Sequence, residues 1–154
     1  MRKLIVLLII CFSANGFAQD YKKDVDAIKE AALGYMDIFY KADTLLAHKY
    51  LDKSLRKVGW RYIEDKKTYS GNRELPFDEV IKLALYFVEK PIPQDANTPR
   101  EVDILEVNDK IAIAKVTAIW GIDYLNMVKL DDTWKIINIV WQSSPKWTYR
   151  PDNN

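Results

Sequence analysis

The stretch that decides the architecture is residues 111–141, IAIAKVTAIWGIDYLNMVKLDDTWKIINIVW. Its side chains alternate at period two, and a bend at Gly121 and the pair Asp131-Asp132 interrupt it, which is the signature of consecutive antiparallel strands. Strands are expected at 111–120, 122–130 and 134–142, with a further one at 101–107 that Asn108-Asp109 ends. In a strictly alternating 134–141, Trp134, Ile136, Asn138 and Val140 share one face and Lys135, Ile137, Ile139 and Trp141 the other. Both faces are mainly apolar, whereas a meander with one wet face alternates cleanly.

Working outward, 24–40 places Val25, Ile28, Ala32, Tyr35, Met36 and Phe39 at steps of three and four, one stripe of an amphipathic helix. Asp43 suits the N-cap of a short helix over 44–51, because its carboxylate can accept from first-turn amides. A strand is expected at 55–63 and a short return at Thr68-Tyr69. Pro76, Asp78 and Glu79 open a third helix whose stripe is Phe77, Val80, Ile81, Ala84 and Val88, and Pro91 ends it. Residues 91–99, with three prolines, read as a loop, and 143–154 as a loose tail.

Residues 1–18 carry a basic head at Arg2 and Lys3, an apolar run from Leu4 to Phe12, and Gly16-Phe17-Ala18, the pattern of a cleaved export signal. The run is shorter than the roughly 20 residues that a span requires. The alternative is an uncleaved anchor; a lipid anchor at Cys11 is disfavoured because Ile9 and Ile10 precede it. The expected product starts near Gln19, is periplasmic or secreted, has no stable membrane span, and has no cysteine for a disulfide. Losing Arg2 and Lys3 from 23 basic residues leaves 21 against 22 acids, a net charge of −1. No basic excess marks a nucleic-acid face. The remaining 136 residues match the usual size of one domain.

Three helices can cover only one face of such a sheet. A homodimer through the other face is the expectation, since a two-fold interface lets one apolar patch cover its own copy. The alternative is that Lys115, Thr117 and Lys129 wet that face enough for a monomer.

The order helix, short helix, strand, helix and long meander resembles the nuclear transport factor 2-like superfamily, and within it the branch named Putative lumazine-binding. The residues that carry the resemblance are 28–40 with Asp43, 51–57, Asp123-Tyr124-Leu125, and 129–138 with Trp141. It implies an α+β, cone-shaped, cystatin-like fold, three N-terminal helices packed on a curved antiparallel sheet, over residues 19–142. Relatives often carry a His-Pro pair after the second helix; here Asp52-Lys53 stands there, and no role of that histidine transfers.

The resemblance implies a pocket between the helices and the concave face, with walls drawn from Tyr35, Phe39, Trp60, Tyr62, Trp120, Tyr124 and Trp141. So many aromatic rings suit a small apolar or aromatic ligand, although they can equally fill a core. The function expected is ligand binding without catalysis. The competing readings are a cofactor-free isomerase, dehydratase or hydrolase, with Asp123 or His48 as base and a tyrosine such as Tyr124 as donor, and a structural envelope module. His48 and Asp52 would form an i, i+4 pair, with a capping or surface histidine as the ordinary alternative. A lone histidine gives no metal spacing, and no glycine-rich loop or serine-nucleophile motif calls for a cofactor.

Overall fold

The structure, a computed structural model, describes the backbone of residues 2–145 and 148 and the side chains of 21–145 and 148. Most of the expected tail lies outside the described residues, as do the side chains of the expected leader. Helix α1 spans Arg2–Tyr40, α2 Thr44–Tyr50 and α3 Phe77–Glu89. The strands are β1 (Leu51–Trp60), β2 (Tyr62–Ile63), β3 (Thr68–Tyr69), β4 (Arg73–Pro76), β5 (Arg100–Val107), β6 (Ile111–Ala118), β7 (Gly121–Leu130) and β8 (Thr133–Gln142).

The apolar stripe of α1 is where its spacing placed it: Ile28, Ala32, Tyr35, Met36 and Phe39 are buried against the sheet. The chain leaves α1 through Ala42 in the left-handed region, φ 53°. Asp43 then caps α2, accepting from the Leu45 amide at 2.9 Å. Tyr40 fixes the far end of α1: its hydroxyl donates to the Pro99 carbonyl (2.6 Å) and accepts from the Ile119 amide (2.8 Å). Those bonds tie the proline-rich loop and the β6–β7 turn to the helix.

Six strands form one sheet in the order β4-β1-β8-β7-β6-β5. Neighbours are antiparallel except β1 and β8, which run parallel, so the sheet is mixed where an antiparallel one was expected. The last four strands follow one another as hairpins, which fixes their alternation. No hairpin joins β1 to β8, so nothing local fixes their relative direction. Asp131 and Asp132, at φ 45° and 59°, make the tight β7–β8 turn, whose twist requires positive φ at both positions.

Strict alternation fails in β8. Asn126 pairs with Asn138 but Met127 pairs with Ile136, so Ile137 is an extra, bulged residue. Beyond it the faces exchange, and Trp134, Ile136, Ile139 and Trp141 all lie on the concave side. Ala112, Ala114 and Ala118 on β6 are small and buried there, which lets α1 pack close. The outer face is mixed. Ile113, Tyr124 and Val140 are exposed, beside a Lys115–Asp103 ion pair (2.9 Å) and an Asn126–Asn138 hydrogen bond (3.2 Å).

The expected strand 55–63 is divided. Strand β1 begins at Leu51 and ends at Trp60, and Tyr62 turns away into a two-stranded ribbon with Tyr69. The added strand β4, ahead of α3, pairs with β1 from Arg56 to Gly59.

One polar clamp joins the middle of α1 to the sheet. The Asp24 carboxylate accepts from the Lys129 ammonium (2.8 Å) and the Trp134 indole N–H (3.0 Å). Burial pushes the Asp24 carboxyl up, but these donors and the lysine charge outweigh it and hold it below the usual carboxylate value. A carboxyl depressed on folding adds stability above its unfolded pKa of about 3.9, and that stability is lost as pH falls through the folded value. Asp24→Asn is therefore expected to lower stability at pH 7, with the deficit relative to the parent shrinking as pH falls below about 4. Urea unfolding at both pH values checks this, and a deficit independent of pH would contradict it.

Candidate functional site

The inward positions of β1 are Leu55, Lys57 and Gly59, and those of β7 are Asp123, Leu125 and Met127. Two opposite charges therefore enter the core from different strands. Lys57, its side chain 5% exposed, places its ammonium 3.0 Å from Asp123 Oδ1, and Asp123 has no exposure at all. Tyr35 on α1 joins them, accepting from Lys57 at 2.5 Å and donating to Asp123 Oδ1 at 3.2 Å. The other carboxylate oxygen, Oδ2, accepts from the Trp120 indole N–H at 2.6 Å. Both oxygens of Asp123 thus accept hydrogen bonds, from three donors in all.

Burial raises the Tyr35 phenol well above its usual pKa, and the neighbouring Asp123 charge and hydrogen bond push the same way. Tyr35 is accordingly a neutral donor at physiological pH. The lysine is also boxed by rings, with its nitrogen 5.1 Å from the Tyr35 ring centre, 5.4 Å from Phe39 and 5.3 Å from Trp141. Phe39 in turn packs edge-on against both Tyr35 and Trp120.

Above this network lies a cavity of about 280 Å³. Its apolar walls come from Phe39 of α1, Leu75 of β4, Leu83 and Phe87 of α3, Ile92 of the following loop, Ile119 and Trp120 of the β6–β7 turn, and Trp141 of β8. Lys57 and Arg73 are the charged groups that line it. Gly59 makes room for the Trp141 ring: a Cβ there would lie 2.2 Å from the Trp141 carbonyl and 2.4 Å from its indole nitrogen. That indole N–H is buried without a hydrogen-bond partner among the described residues.

Of the seven wall residues expected from the sequence, Phe39, Trp120 and Trp141 line the cavity. Tyr35 lies beneath its floor, in contact with Lys57. Three stand elsewhere. Trp60 and Tyr124 point to the outer face of the sheet, where with Ile122 and Val140 they border a shallow groove, and Tyr62 lies on the β2–β3 ribbon. Strand parity explains the first two, since Trp60 is an odd number of steps from Lys57 and Tyr124 from Asp123.

Among the expected catalytic candidates, Asp123 sits under the cavity and Tyr124 on the opposite face. His48 is exposed, its ring edge packed 5.2 Å from Phe77. Helix α2 ends at Tyr50, so Asp52 belongs to β1 and accepts from the Ser54 amide instead of forming a helical pair with His48. Among the described residues no cluster of three or more His, Cys, Asp or Glu could hold a metal ion, and no helix there is long and apolar enough to cross a membrane.

Sequence reasoning missed Lys57, Arg73, Leu75, Leu83, Phe87, Ile92 and Ile119. The signal for Lys57 was present: it sits in step with Leu55 and Gly59, and Asp123 in step with Leu125 and Met127. Two opposite charges on inward positions call for each other.

The family model described as Putative lumazine-binding matches residues 23–142. No functionally curated protein matches the sequence significantly. Among solved structures, an NTF-2 like protein of unknown function from Silicibacter pomeroyi is similar at TM-score 0.58 and 17% identity, over 80% of this chain and 98% of that one. An NTF2-like protein with a cystatin-like fold from Novosphingobium aromaticivorans gives 0.60 at 8% identity, covering 83% of this chain and 86% of that one. One from Cytophaga hutchinsonii gives 0.53 at 11%, covering 77% and 96%. At such identities the solved structures establish only the shared fold, that of NTF2-like proteins with a cystatin-like fold, and the family match over residues 23–142 shows that this chain belongs to the Putative lumazine-binding family.

Proposed function

We propose that the protein binds a small, apolar or aromatic molecule in the cavity beside α3, with the Lys57–Asp123 pair as its polar floor. The observation that carries this reading is the cavity itself: about 280 Å³, with walls that are apolar apart from Lys57 and Arg73. Ligand pockets have this character, apolar with a few aimed polar groups. A flat two-ring compound, of the kind the family name suggests, suits the size and the aromatic walls. Asp123 is better suited to holding Lys57 than to abstracting a proton, because three donors already occupy its oxygens.

Calorimetric titration with 2-naphthoate and with its uncharged counterpart 2-naphthamide is expected to give saturable binding, one per chain, for at least one of them. Leu83→Trp, which fills the cavity from α3, should weaken that binding at least about tenfold, or 1.4 kcal/mol. No saturable binding of either probe, or binding indifferent to Leu83→Trp, would contradict the reading.

We further propose that the chain works outside the cytoplasm, cleaved near Gln19, and as a homodimer. The leader pattern of residues 1–18 supports export. The exposed Trp60, Ile113, Tyr124 and Val140 on the sheet's outer face support self-association. Native mass spectrometry of the protein recovered from cells that produce it reads both points. Two copies of a chain beginning at Gln19 are expected, and a monomer or an unprocessed chain would contradict the corresponding half.

A further inference from the structure

The charged lining of the cavity is of one sign. Lys57 and Arg73 face it, and among the described residues no acidic side chain lines it. Their placement is set by strand register: Lys57 pairs with Leu75 and Gly59 with Arg73 across β1 and β4. Lys57 and Arg73 are therefore diagonal neighbours on one face, roughly 7–8 Å apart with their Cβ atoms somewhat closer. Both side chains are long enough to converge on a single small group between them, and Gly59, opposite Arg73, adds no side chain to obstruct it.

The two cations differ in what they have left to give. A lysine ammonium has three N–H donors. Lys57 places one on Asp123 and one on Tyr35, and the third has no partner among the described residues. Its charge is already balanced by Asp123, so alone it calls for an acceptor of either charge state. Arg73 makes no ion pair among the described residues and cannot lose its proton. Tyr35 is neutral, so Lys57, Asp123 and Arg73 sum to one net positive charge beside an apolar wall. Arg73 is exposed, so that charge acts from the wet rim of the cavity, where added salt screens it.

We infer that the natural ligand is an apolar carboxylate, its rings or chain against Phe39, Leu83, Phe87 and Trp120 and its carboxylate held between Arg73 and the spare donor of Lys57. The inference rests on the cavity being a binding site, as proposed above, and it specifies the class of molecule. A planar carboxylate accepts two donors at once from a guanidinium, and Lys57 can add a third bond from below.

The test compares 2-naphthoate with 2-naphthamide, which share size and rings and differ in charge, on the full chain by calorimetry. The carboxylate is expected to bind at least about tenfold more tightly, the scale of one charge-assisted hydrogen bond. Arg73→Gln, at an exposed position that makes no ion pair among the described residues, should erase most of that preference. Added salt should reduce the preference in the parent protein. Equal affinity for the two probes, both weakened by Leu83→Trp, would overturn the anion inference and leave the cavity reading intact. A carboxylate preference that survives Arg73→Gln would place the anion elsewhere and also overturn it. Binding of neither probe would remove the cavity reading and this inference with it.

Discussion

The buried contact between Lys57 and Asp123 is the constraint from which the arrangement of this molecule follows. Taking two charges out of water costs several kcal/mol per ion, and their attraction offsets that only where geometry and further hydrogen bonds are good. Here the further bonds come from two other parts of the chain, Tyr35 on α1 and Trp120 in the β6–β7 turn. Satisfying the two charges therefore fixes α1, β1 and β7 relative to one another. An apolar pair of similar volume could stabilise the core as well, but it would not give the cavity a cationic floor.

The same arrangement explains why the interior is closed on one side and open on the other. Under α1 the sheet presents Ala112, Ala114 and Ala118, and the helix lies close enough to bury Ile28, Ala32 and Met36 completely. Under α3 the sheet presents Lys57 and the flat Trp141 ring on Gly59, neither of which rises to meet the helix. Leu83 and Phe87 then face a gap. Aromatic packing around Phe39 and Trp120 holds the gap's inner wall in place.

Much of this was legible in the sequence where the pattern is local. The stripe of α1, the stripe of α3 except Val88, which is exposed, the Asp43 cap, the Asp131-Asp132 turn and the four-strand meander depend on neighbouring residues, and their periodicity shows them directly. What escaped depended on partners distant in the chain. The bulge at Ile137 is defined by its pairing with β7, and it reverses which side Ile139 and Trp141 take. The parallel contact of β1 with β8 joins segments that no hairpin links. The family resemblance implied Trp60, Tyr62 and Tyr124 as pocket walls, yet strand parity and the separate ribbon carry them away. Lys57 was passed over because an isolated lysine in a strand reads as a solvent-facing residue; its role shows only when its parity is compared with that of Asp123.

The buried pair is tested most directly by a double-mutant cycle in urea unfolding with Lys57→Met, Asp123→Asn and both together. Removing Lys57 alone leaves a buried carboxylate without its countercharge and is expected to cost about 3–5 kcal/mol, whereas the double variant should recover much of that loss. A Lys57→Met cost under about 1 kcal/mol, with the two substitutions simply additive, would show the ion pair to be solvated and would contradict the account.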